Sequence, residues 1–279
     1  MKKIILIRYG ELTLKGNNRA QFENKLRENI KLAFKKSGIV ASIKKIQSRL
    51  IVQTEMLENA IAVLERIFGI SSISETLLVE AEAESILKAA FSIALGGKFA
   101  SFAIRAKRIS KDFMPTMEIE RWLGKHIHEK TSAKVDLVSP DLTLWVEINN
   151  KQAYIFCSRK EGAGGLPVGT EGTVLAIINQ PLDVMAAWLL LKRGCLIIPV
   201  MKKQLPEIEI LETFFNPLQP IQQELASHNA LLQTGHRKIY EKTYIPNINP
   251  LCGKSKKEWD TALNRLILKY NLGGINASS

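Results

Sequence analysis

Apolar and polar residues alternate with two different periods along the first part of the chain, which predicts interleaved strands and helices. Ile4 to Arg8 is a short apolar run typical of a strand, and a second strand is predicted over Ile43 to Val52. Asn18 to Lys36 and Met56 to Phe68 repeat apolar residues every three or four positions, as amphipathic helices do. This alternation predicts a small ferredoxin-like α+β unit.

The middle of the chain continues the mixture of helical and strand spacing. The predicted elements are a helix over Glu80 to Leu95, a strand over Phe99 to Arg105, a helix over Thr116 to Lys130, and strands over Trp145 to Ile148 and Ala153 to Phe156. Asn149 and Asn150 separate the last two strands at the spacing of a hairpin turn. A second α+β domain is therefore expected after the first.

The pattern changes between Glu161 and Val200. A glycine-rich loop comes first, with Gly162, Gly164, Gly165, Gly169 and Gly172. A strand is predicted over Val174 to Ile178, a helix over Asp183 to Arg193, and a second strand over Leu196 to Val200. This order is typical of a Rossmann-like parallel α/β unit, in which ligands bind beyond the carboxyl end of the first strand.

The turn after the first of these strands is Asn179-Gln180-Pro181-Leu182, and its composition decides what it can bind. A backbone that wraps a phosphate needs glycines for close approach and free N–H donors, and proline removes one donor outright. This turn contains no glycine. The sequence therefore places a nucleotide site here and predicts that the chemistry of such a site is missing.

The remaining segment gives weaker patterns. Ile208 to Phe214 is predicted to be a strand, an apolar pattern runs through Ile221 to Leu232, and a last helix follows the capping box of Ser255 and Glu258. The predicted domains are residues 1–74, a ferredoxin-like unit; residues 75–168, the second α+β domain; and residues 169–279, a short, truncated α/β domain.

The net charge is +12, and its distribution is uneven. The first 50 residues hold 13 Lys and Arg and 3 Glu, so +10 of the net charge lies there. A folded element with this bias attracts phosphate backbones, with an affinity that falls as salt rises. The alternative is that these lysines are spread over the surface for solubility.

Composition excludes several classes of protein. No apolar run reaches the roughly 18 residues of a membrane span, and the start lacks a signal-peptide pattern, so a cytoplasmic protein without membrane association is expected. Cys157, Cys195 and Cys252 form no C-x-x-C pair, which argues against a structural zinc site and a disulfide scaffold. His126 and His128 are two residues apart and point to different sides of a helix, so no metal site is predicted.

Four segments of the middle domain occur in a recognisable order: FAIRAKR (Phe102 to Arg108), EIERWLG (Glu118 to Gly124), KVDLVSPD (Lys134 to Asp141) and WVEI (Trp145 to Ile148). Together they resemble a THUMP domain. The resemblance implies RNA binding, with docking of a tRNA acceptor end, and its candidates for phosphate contacts are Arg105, Lys107 and Arg108. The other interpretation of Arg105 is an ion pair with Glu147 on a neighbouring strand.

The segment RYGELTLKGNNRAQFE, from Arg8 to Glu23, resembles the N-terminal motif of the tRNA 4-thiouridine synthetase family. Lys15, Asn17 and Arg19 lie at a loop and a helix start, where side chains and free N–H groups can hold a phosphate. They are therefore candidate RNA-binding residues. The alternative is a loop closed by its glycines and an Asn cap.

GAGGLPVGTEG, the strand after it and AAWLLLKRG resemble the same synthetase family, some members of which also supply sulfur for thiamine biosynthesis. In that family a PP-loop, Ser-Gly-Gly-x-Asp-Ser, follows the strand, binds ATP and allows adenylation of a tRNA uridine. Here Asn179 to Val184 occupies that place, and only Asp183 matches. Asp183 is thus a candidate catalytic residue, and Asn179, Gln180 and Asp183 are the candidate cofactor-binding residues of a degenerate loop.

Active members of the family also use a cysteine late in the PP-loop domain to receive or pass sulfur. Cys252 occupies a comparable region and is the second candidate catalytic residue; nearby lysines and a helix start would lower its pKa. The alternative is an ordinary packed or exposed thiol. The resemblance further implies a sulfur-donor protein and a homodimer.

Two hypotheses of function remain open. The first is a tRNA-binding THUMP protein that has lost nucleotide chemistry and needs no cofactor. The second is an active ATP-dependent tRNA sulfurtransferase that makes 4-thiouridine with ATP and magnesium. Transfer of a phosphoryl group needs preorganised donors, and Gln180 and Pro181 stand where the family has glycines, so the first hypothesis is favoured. A basic α/β protein unrelated to RNA is the third and least supported interpretation.

Overall fold

The structure is a computed structural model, and it describes residues 1–10, 18–47, 49–108, 113–201, 205–214 and 255–270. Contacts divide the chain into two compact units. The first unit comprises Met1–Arg8, Ile39–Ala62 and Ser72–Glu161, and the second comprises Tyr9–Gly38, Val63–Ser71 and Gly162–Ser279. The domain limits predicted from the sequence stay a prediction.

A single mixed sheet organises the first unit. Its strands are β1 (Lys2–Arg8), β2 (Ser42–Ile46), β3 (Arg49–Gln53), β4 (Ser72–Glu80), β5 (Ser101–Arg108), β6 (Lys134–Val135), β7 (Leu142–Asn149), β8 (Gln152–Phe156) and β9 (Lys160–Glu161). The order is β2-β3-β1-β4-β8-β7-β5-β6, and β9 pairs with β4. β5 runs parallel to β6 and β7, and the other pairs are antiparallel.

The central strand β4 joins the two halves of this sheet, because it pairs with β1 on one side and with β8 on the other. The sequence prediction missed it. Ser72, Ser74 and Thr76 are buried at alternate positions of the strand, so its inward face is polar. A search for apolar residues at every second position cannot detect a strand whose buried face carries hydroxyl groups.

The helices are α1 (Arg19–Lys36), α2 (Leu57–Leu64), α3 (Ala83–Ala94), α4 (Thr116–Thr131), α5 (Pro181–Lys192), α6 (Ile208–Phe214) and α7 (Lys256–Lys269). In the first unit, α3 and α4 cover one face of the sheet. Ile86 and Leu123 of these helices pack with Ile104, Val146 and Ile155 in one buried cluster. The opposite face of the same strands carries the side chains at the alternate positions.

The second unit contains the predicted strand, helix and strand. β10 (Thr173–Ile178) and β11 (Leu196–Met201) are parallel, and α5 connects them. The core of this unit contains a cluster of aromatic rings among aliphatic side chains. The Phe214 ring centroid lies 5.1 Å from that of Phe68, 5.7 Å from that of Trp188 and 4.7 Å from that of Tyr270. The parallel unit is the Rossmann-like arrangement expected from the sequence.

Two predicted elements are wrong. Ile43 to Val52 is a hairpin of β2 and β3 rather than one strand, and Gln47 at its turn has a positive φ of 46°. Ile208 to Phe214 is helix α6 rather than a strand, because Ile208, Leu211 and Phe214 lie at helical spacing and are all buried. The predicted pattern over Ile221 to Leu232 lies outside the described residues. Within the described part of the chain, every helix is too short or too polar to cross a bilayer.

Candidate nucleic-acid interface and nucleotide-site turn

The turn between β10 and α5 is closed by its own carboxylate. Asp183 Oδ2 accepts hydrogen bonds from the backbone N–H of Asn179 at 2.9 Å and of Gln180 at 3.1 Å. Pro181 occupies the first position of α5 and has no N–H to offer. The predicted residues Asn179, Gln180 and Asp183 are therefore brought together, in the arrangement of a helix cap.

This arrangement does not fit a nucleotide phosphate. The two N–H groups that precede the helix already bond to Asp183, and Pro181 at the first helical position has no N–H. Close approach of a phosphate to backbone needs glycine, and the turn has none. The residues present thus disagree with the ATP site that the family resemblance implies.

The glycine-rich loop before β10 makes its close contacts with protein backbone. A Cβ added at Gly165, whose φ is +71°, would clash with the carbonyl oxygen of Lys192 at the end of α5. The backbone N–H of Leu166 donates to that same oxygen at 3.0 Å, and the N–H of Gly169 donates to the carbonyl of Gly194 at 2.8 Å. Gly165 is therefore required for packing on the end of α5, which is a structural role.

The three THUMP cations lie along the last part of β5. Arg105 is exposed and donates from Nη2 to the carbonyl of Leu137 at 2.6 Å. Arg108 donates from Nη1 to the carbonyl of Phe113 at 2.8 Å. Lys107 is exposed and has no ion-pair partner within the residues described. Strand alternation places Arg105 and Lys107 on the sheet face opposite α3 and α4.

The expected alternative for Arg105, an ion pair with Glu147, is wrong. Glu147 instead holds two arginines of the ferredoxin-like strands. Its Oε1 accepts from Arg8 Nη2 at 2.9 Å and from Arg8 Nε at 3.1 Å. Its Oε2 accepts from Arg49 Nη2 at 3.1 Å and from Arg49 Nε at 3.2 Å. Arg8 also donates to Ser74 Oγ on β4 at 3.0 Å.

This buried group of Arg8, Arg49, Glu147 and Ser74, here called the arginine clamp, requires a curled sheet. β3 and β7 are four strand steps apart, roughly 19 Å along a flat sheet, yet their side chains are in hydrogen-bond contact. Burial would raise the pKa of Glu147, but the attraction of the two guanidinium groups outweighs it and lowers that pKa below its usual value. Sequence reasoning missed the clamp because its residues are 139 and 98 positions apart.

The N-terminal candidates are only partly described. Arg19 donates from Nε to Glu23 Oε1 at 2.8 Å, and the same oxygen accepts from the Tyr9 hydroxyl at 2.9 Å. Burial and these contacts with Glu23 raise the pKa of Tyr9. Arg19 is thus paired within the protein. Lys15, Asn17 and the candidate thiol Cys252 lie outside the described residues.

Each of the two histidines contacts a backbone carbonyl, while Cys157 is exposed and Cys195 is partly buried. Nδ1 of His126 lies 2.8 Å from the carbonyl of Trp122, and Nδ1 of His128 lies 2.8 Å from the carbonyl of Ala133. Burial raises the pKa of the Cys157 and Cys195 thiols, which lowers the thiolate fraction needed for sulfur chemistry. Groups of three metal-binding side chains are absent from the residues that the structure describes.

Comparison with known protein families identifies two domains in this chain. Residues 4–74 match the ThiI ferredoxin-like domain, and residues 79–158 match the THUMP domain. The chain thus contains a ThiI ferredoxin-like domain followed by a THUMP domain. The predicted resemblance to the tRNA 4-thiouridine synthetase family is thereby confirmed, as is the fold: a ferredoxin-like unit, a THUMP domain and a parallel α/β segment.

Curated relatives carry the name "Probable tRNA sulfurtransferase". The protein of Caldanaerobacter subterraneus subsp. tengcongensis is 38% identical over 198 residues, which cover 70% of this chain and 52% of the relative. That of Thermococcus kodakarensis is 36% identical over 212 residues, covering 72% and 55%. That of Methanocaldococcus jannaschii is 32% identical over 244 residues, covering 83% and 62%. The chain therefore spans about half to three fifths of the length of these relatives.

Two solved structures share the fold. PH1313 from Pyrococcus horikoshii Ot3 superposes with a TM-score of 0.76 at 27% identity, over 95% of this chain and 99% of that one. A 4-thiouridine synthetase, solved as an RNA complex with bound ATP, superposes with a TM-score of 0.73 at 24% identity, over 98% of this chain and 86% of that one. The similarity to the 4-thiouridine synthetase shows only that the two proteins share a fold.

Proposed function

We propose that this THUMP protein binds tRNA through its ferredoxin-like and THUMP domains and does not adenylate it. The observation that carries this proposal is the self-capped turn, in which Asp183 occupies the N–H groups of Asn179 and Gln180. The protein then works as an RNA-binding module that needs no cofactor, and any sulfur chemistry on the bound tRNA belongs to a partner protein.

RNA binding is supported by charge and by relatedness. Of the net charge of +12, the first 50 residues supply +10, and Lys107 adds an exposed cation near the end of β5. The relatives are named as tRNA sulfurtransferases, and one structure of the same fold is a complex with RNA. A cationic surface of this kind binds phosphate backbones with strong salt dependence.

The competing function is ATP-dependent tRNA sulfurtransfer, and the names of the relatives favour it. The argument against it is chemical. Stabilising a transferring phosphoryl group takes several preorganised donors. At this turn Pro181 offers no donor and Asp183 takes up two, so the donors that the reaction needs are missing.

Calorimetric titration with magnesium ATP, with and without tRNA, tests the loss of adenylation. We expect no heat of binding and no tRNA-dependent ATP consumption, because the turn offers a phosphate no free N–H pair. The control is tRNA binding by the same preparation at low salt, which shows that the protein is folded and competent. ATP turnover that Asp183→Ala abolishes would establish the sulfurtransferase instead.

Substitution of Lys107 tests the RNA-binding face. Lys107→Ala is expected to weaken tRNA binding and to reduce the slope of log affinity against log salt by about one, because one phosphate contact is lost. The double variant with Arg108→Ala should lose more, although Arg108 also holds the Phe113 carbonyl. Lys125→Ala, at an exposed lysine on α4, is the matched control and should leave both quantities unchanged. An unaltered slope in Lys107→Ala would move the binding surface elsewhere.

A further inference from the structure

The arginine clamp lies between two outer strands of the sheet in the first unit. Its residues meet across the face that the curled sheet encloses, here called the inner face. Arg49 belongs to β3, and the next strand outward is β2; Glu147 belongs to β7, and the next strand outward is β5. The ion pair of Arg49 with Glu147 is therefore flanked by β2 on one side and by β5 on the other.

Exposed cations of both flanking strands project from the inner face. Lys44 of β2 shares a face with Arg49 of β3, as the register of this antiparallel pair requires. Lys107 of β5 is in register with Glu147, and Arg105 precedes Lys107 by two residues, so both share the face of Glu147. Lys44, Arg105 and Lys107 are exposed. The clamp thus has cations on both of its sides.

The inner face between β2 and β5 is filled by packed side chains. Leu6, Ile51, Tyr154 and Phe156 are buried together in one cluster. The Arg8 guanidinium lies 4.6 Å from the centroid of the Phe156 ring, so the clamp rests directly on this cluster. A layer packed in this way makes the inner face resistant to deformation.

The clamp determines how far apart the cations of β2 and β5 lie. These strands are six steps apart in the sheet order, about 29 Å along a flat sheet. The curl that brings Arg49 Nη2 within 3.1 Å of Glu147 Oε2 shortens that separation. Glu147 accepts two hydrogen bonds from Arg8 and two from Arg49, so the curl has a defined geometry rather than a range of them.

We infer that Arg49 and Glu147 are positioning residues for RNA binding, because the curl that they fix holds Lys44 and Lys107 at a spacing at which both contact phosphates of one RNA molecule. This inference rests on the proposed RNA-binding function and adds Lys44 as a second phosphate contact. Linked binding groups gain affinity only when the geometry lets them engage together. The clamp contributes geometry rather than contacts, since the Arg49 and Glu147 side chains are only 14% and 10% exposed.

The test loosens the clamp without changing the net charge. Arg49→Lys keeps the positive charge but loses the planar fork that donates twice to Glu147. We expect tRNA affinity to fall about tenfold and the slope of log affinity against log salt to fall by about one, because one lysine no longer reaches a phosphate. A variant that was merely less stable would lower the amount of active protein and leave the salt slope unchanged.

Lys44→Ala shows whether the loss comes from the spacing of the cations. In the unchanged protein it should reduce the salt slope by about one, as the loss of one phosphate contact does. In the Arg49→Lys background it should have little further effect, because Lys44 is already out of reach. Lys88→Ala, at an exposed lysine of α3 on the opposite side of the sheet, is the matched control and should change neither quantity.

Three results would contradict the inference. An unchanged slope in Lys44→Ala removes Lys44 from the binding surface. Additive losses for Lys44→Ala and Arg49→Lys separate the lysine from the clamp. An unchanged slope in folded Arg49→Lys removes the positioning role, and Glu147→Asp, which keeps the charge but shortens the reach, answers the same question if Arg49→Lys does not fold. In each case tRNA binding stands. If the unchanged protein binds no tRNA at low salt, the proposed function fails as well.

Discussion

Replacement of Glu147 by glutamine is expected to destabilise the protein by about 3–5 kcal/mol, the usual cost of removing one partner from a buried ion pair. Arg8 and Arg49 both depend on this carboxylate, and the Arg8 side chain is only 7% exposed. Glutamine has nearly the same shape but no charge, so two guanidinium groups would remain close together without compensation. The midpoint of urea-induced unfolding, followed by circular dichroism, measures the loss.

The same carboxylate makes stability depend on pH in a defined direction. The pKa of Glu147 is lower in the folded protein than the ordinary value of 4.5. Its contribution is therefore fully present above that ordinary value and is lost as the pH falls through the lower, folded-state pKa. Glu147→Gln should lack this part of the acid-induced loss, so the difference in stability from the unchanged protein should shrink at low pH.

Glu75→Gln is the matched control for the arginine clamp. Glu75 lies on β4 and pairs with Lys3 at 3.2 Å, but the two side chains are 43% and 65% exposed. Exposed pairs contribute little, so this substitution should change the unfolding free energy by less than about 1 kcal/mol. Equal effects of the two substitutions would show that the clamp does not hold β1 and β3 against β7.

Local patterns were enough to predict most helices and strands. α1, α4, α5 and the two parallel strands of the second unit were found from apolar spacing and glycine stops, because their buried faces are apolar. Strand β4 was missed since the side chains buried at alternate positions on one of its faces are Ser72, Ser74 and Thr76. In the fold, the hydroxyls of Ser74 and Ser72 accept hydrogen bonds from Arg8 and Arg159. These arginines are distant in sequence, so the local pattern around β4 cannot predict the contacts.

In the candidate site, too, the features set by nearby residues were predictable from the sequence, and the long-range contacts were not. The missing glycine in the turn at Asn179 could be read directly, and so could the cations of β5. Asp183 caps the turn through contacts with residues three and four positions before it. A capping pattern in the sequence can indicate such short-range contacts. The partners of Glu147 depend on sheet order and curl, so Arg105 on the neighbouring strand β5 was the wrong choice.

Gly165→Ala is expected to destabilise the second unit by about 2–5 kcal/mol. Its φ of +71° costs an L-residue roughly 1–2 kcal/mol. The added methyl group would also clash with the Lys192 carbonyl oxygen and lie 2.8 Å from Lys192 Cγ, an overpacking worth about 1–3 kcal/mol. Because the obstacle is backbone at the end of α5, rotation of a side chain cannot relieve it.

Gly172→Ala separates the two causes. Gly172 has a similar φ of +85°, but a Cβ there meets nothing within 4 Å among the described atoms. Only the conformational cost of roughly 1–2 kcal/mol should appear in this variant. Unfolding midpoints in urea for both variants then report the packing contribution as their difference. If the two variants lose the same stability, close packing of the loop on α5 contributes nothing measurable to stability. If Gly165→Ala loses more stability than Gly172→Ala and keeps its RNA affinity, the glycine-rich loop stabilises α5 by packing against its end.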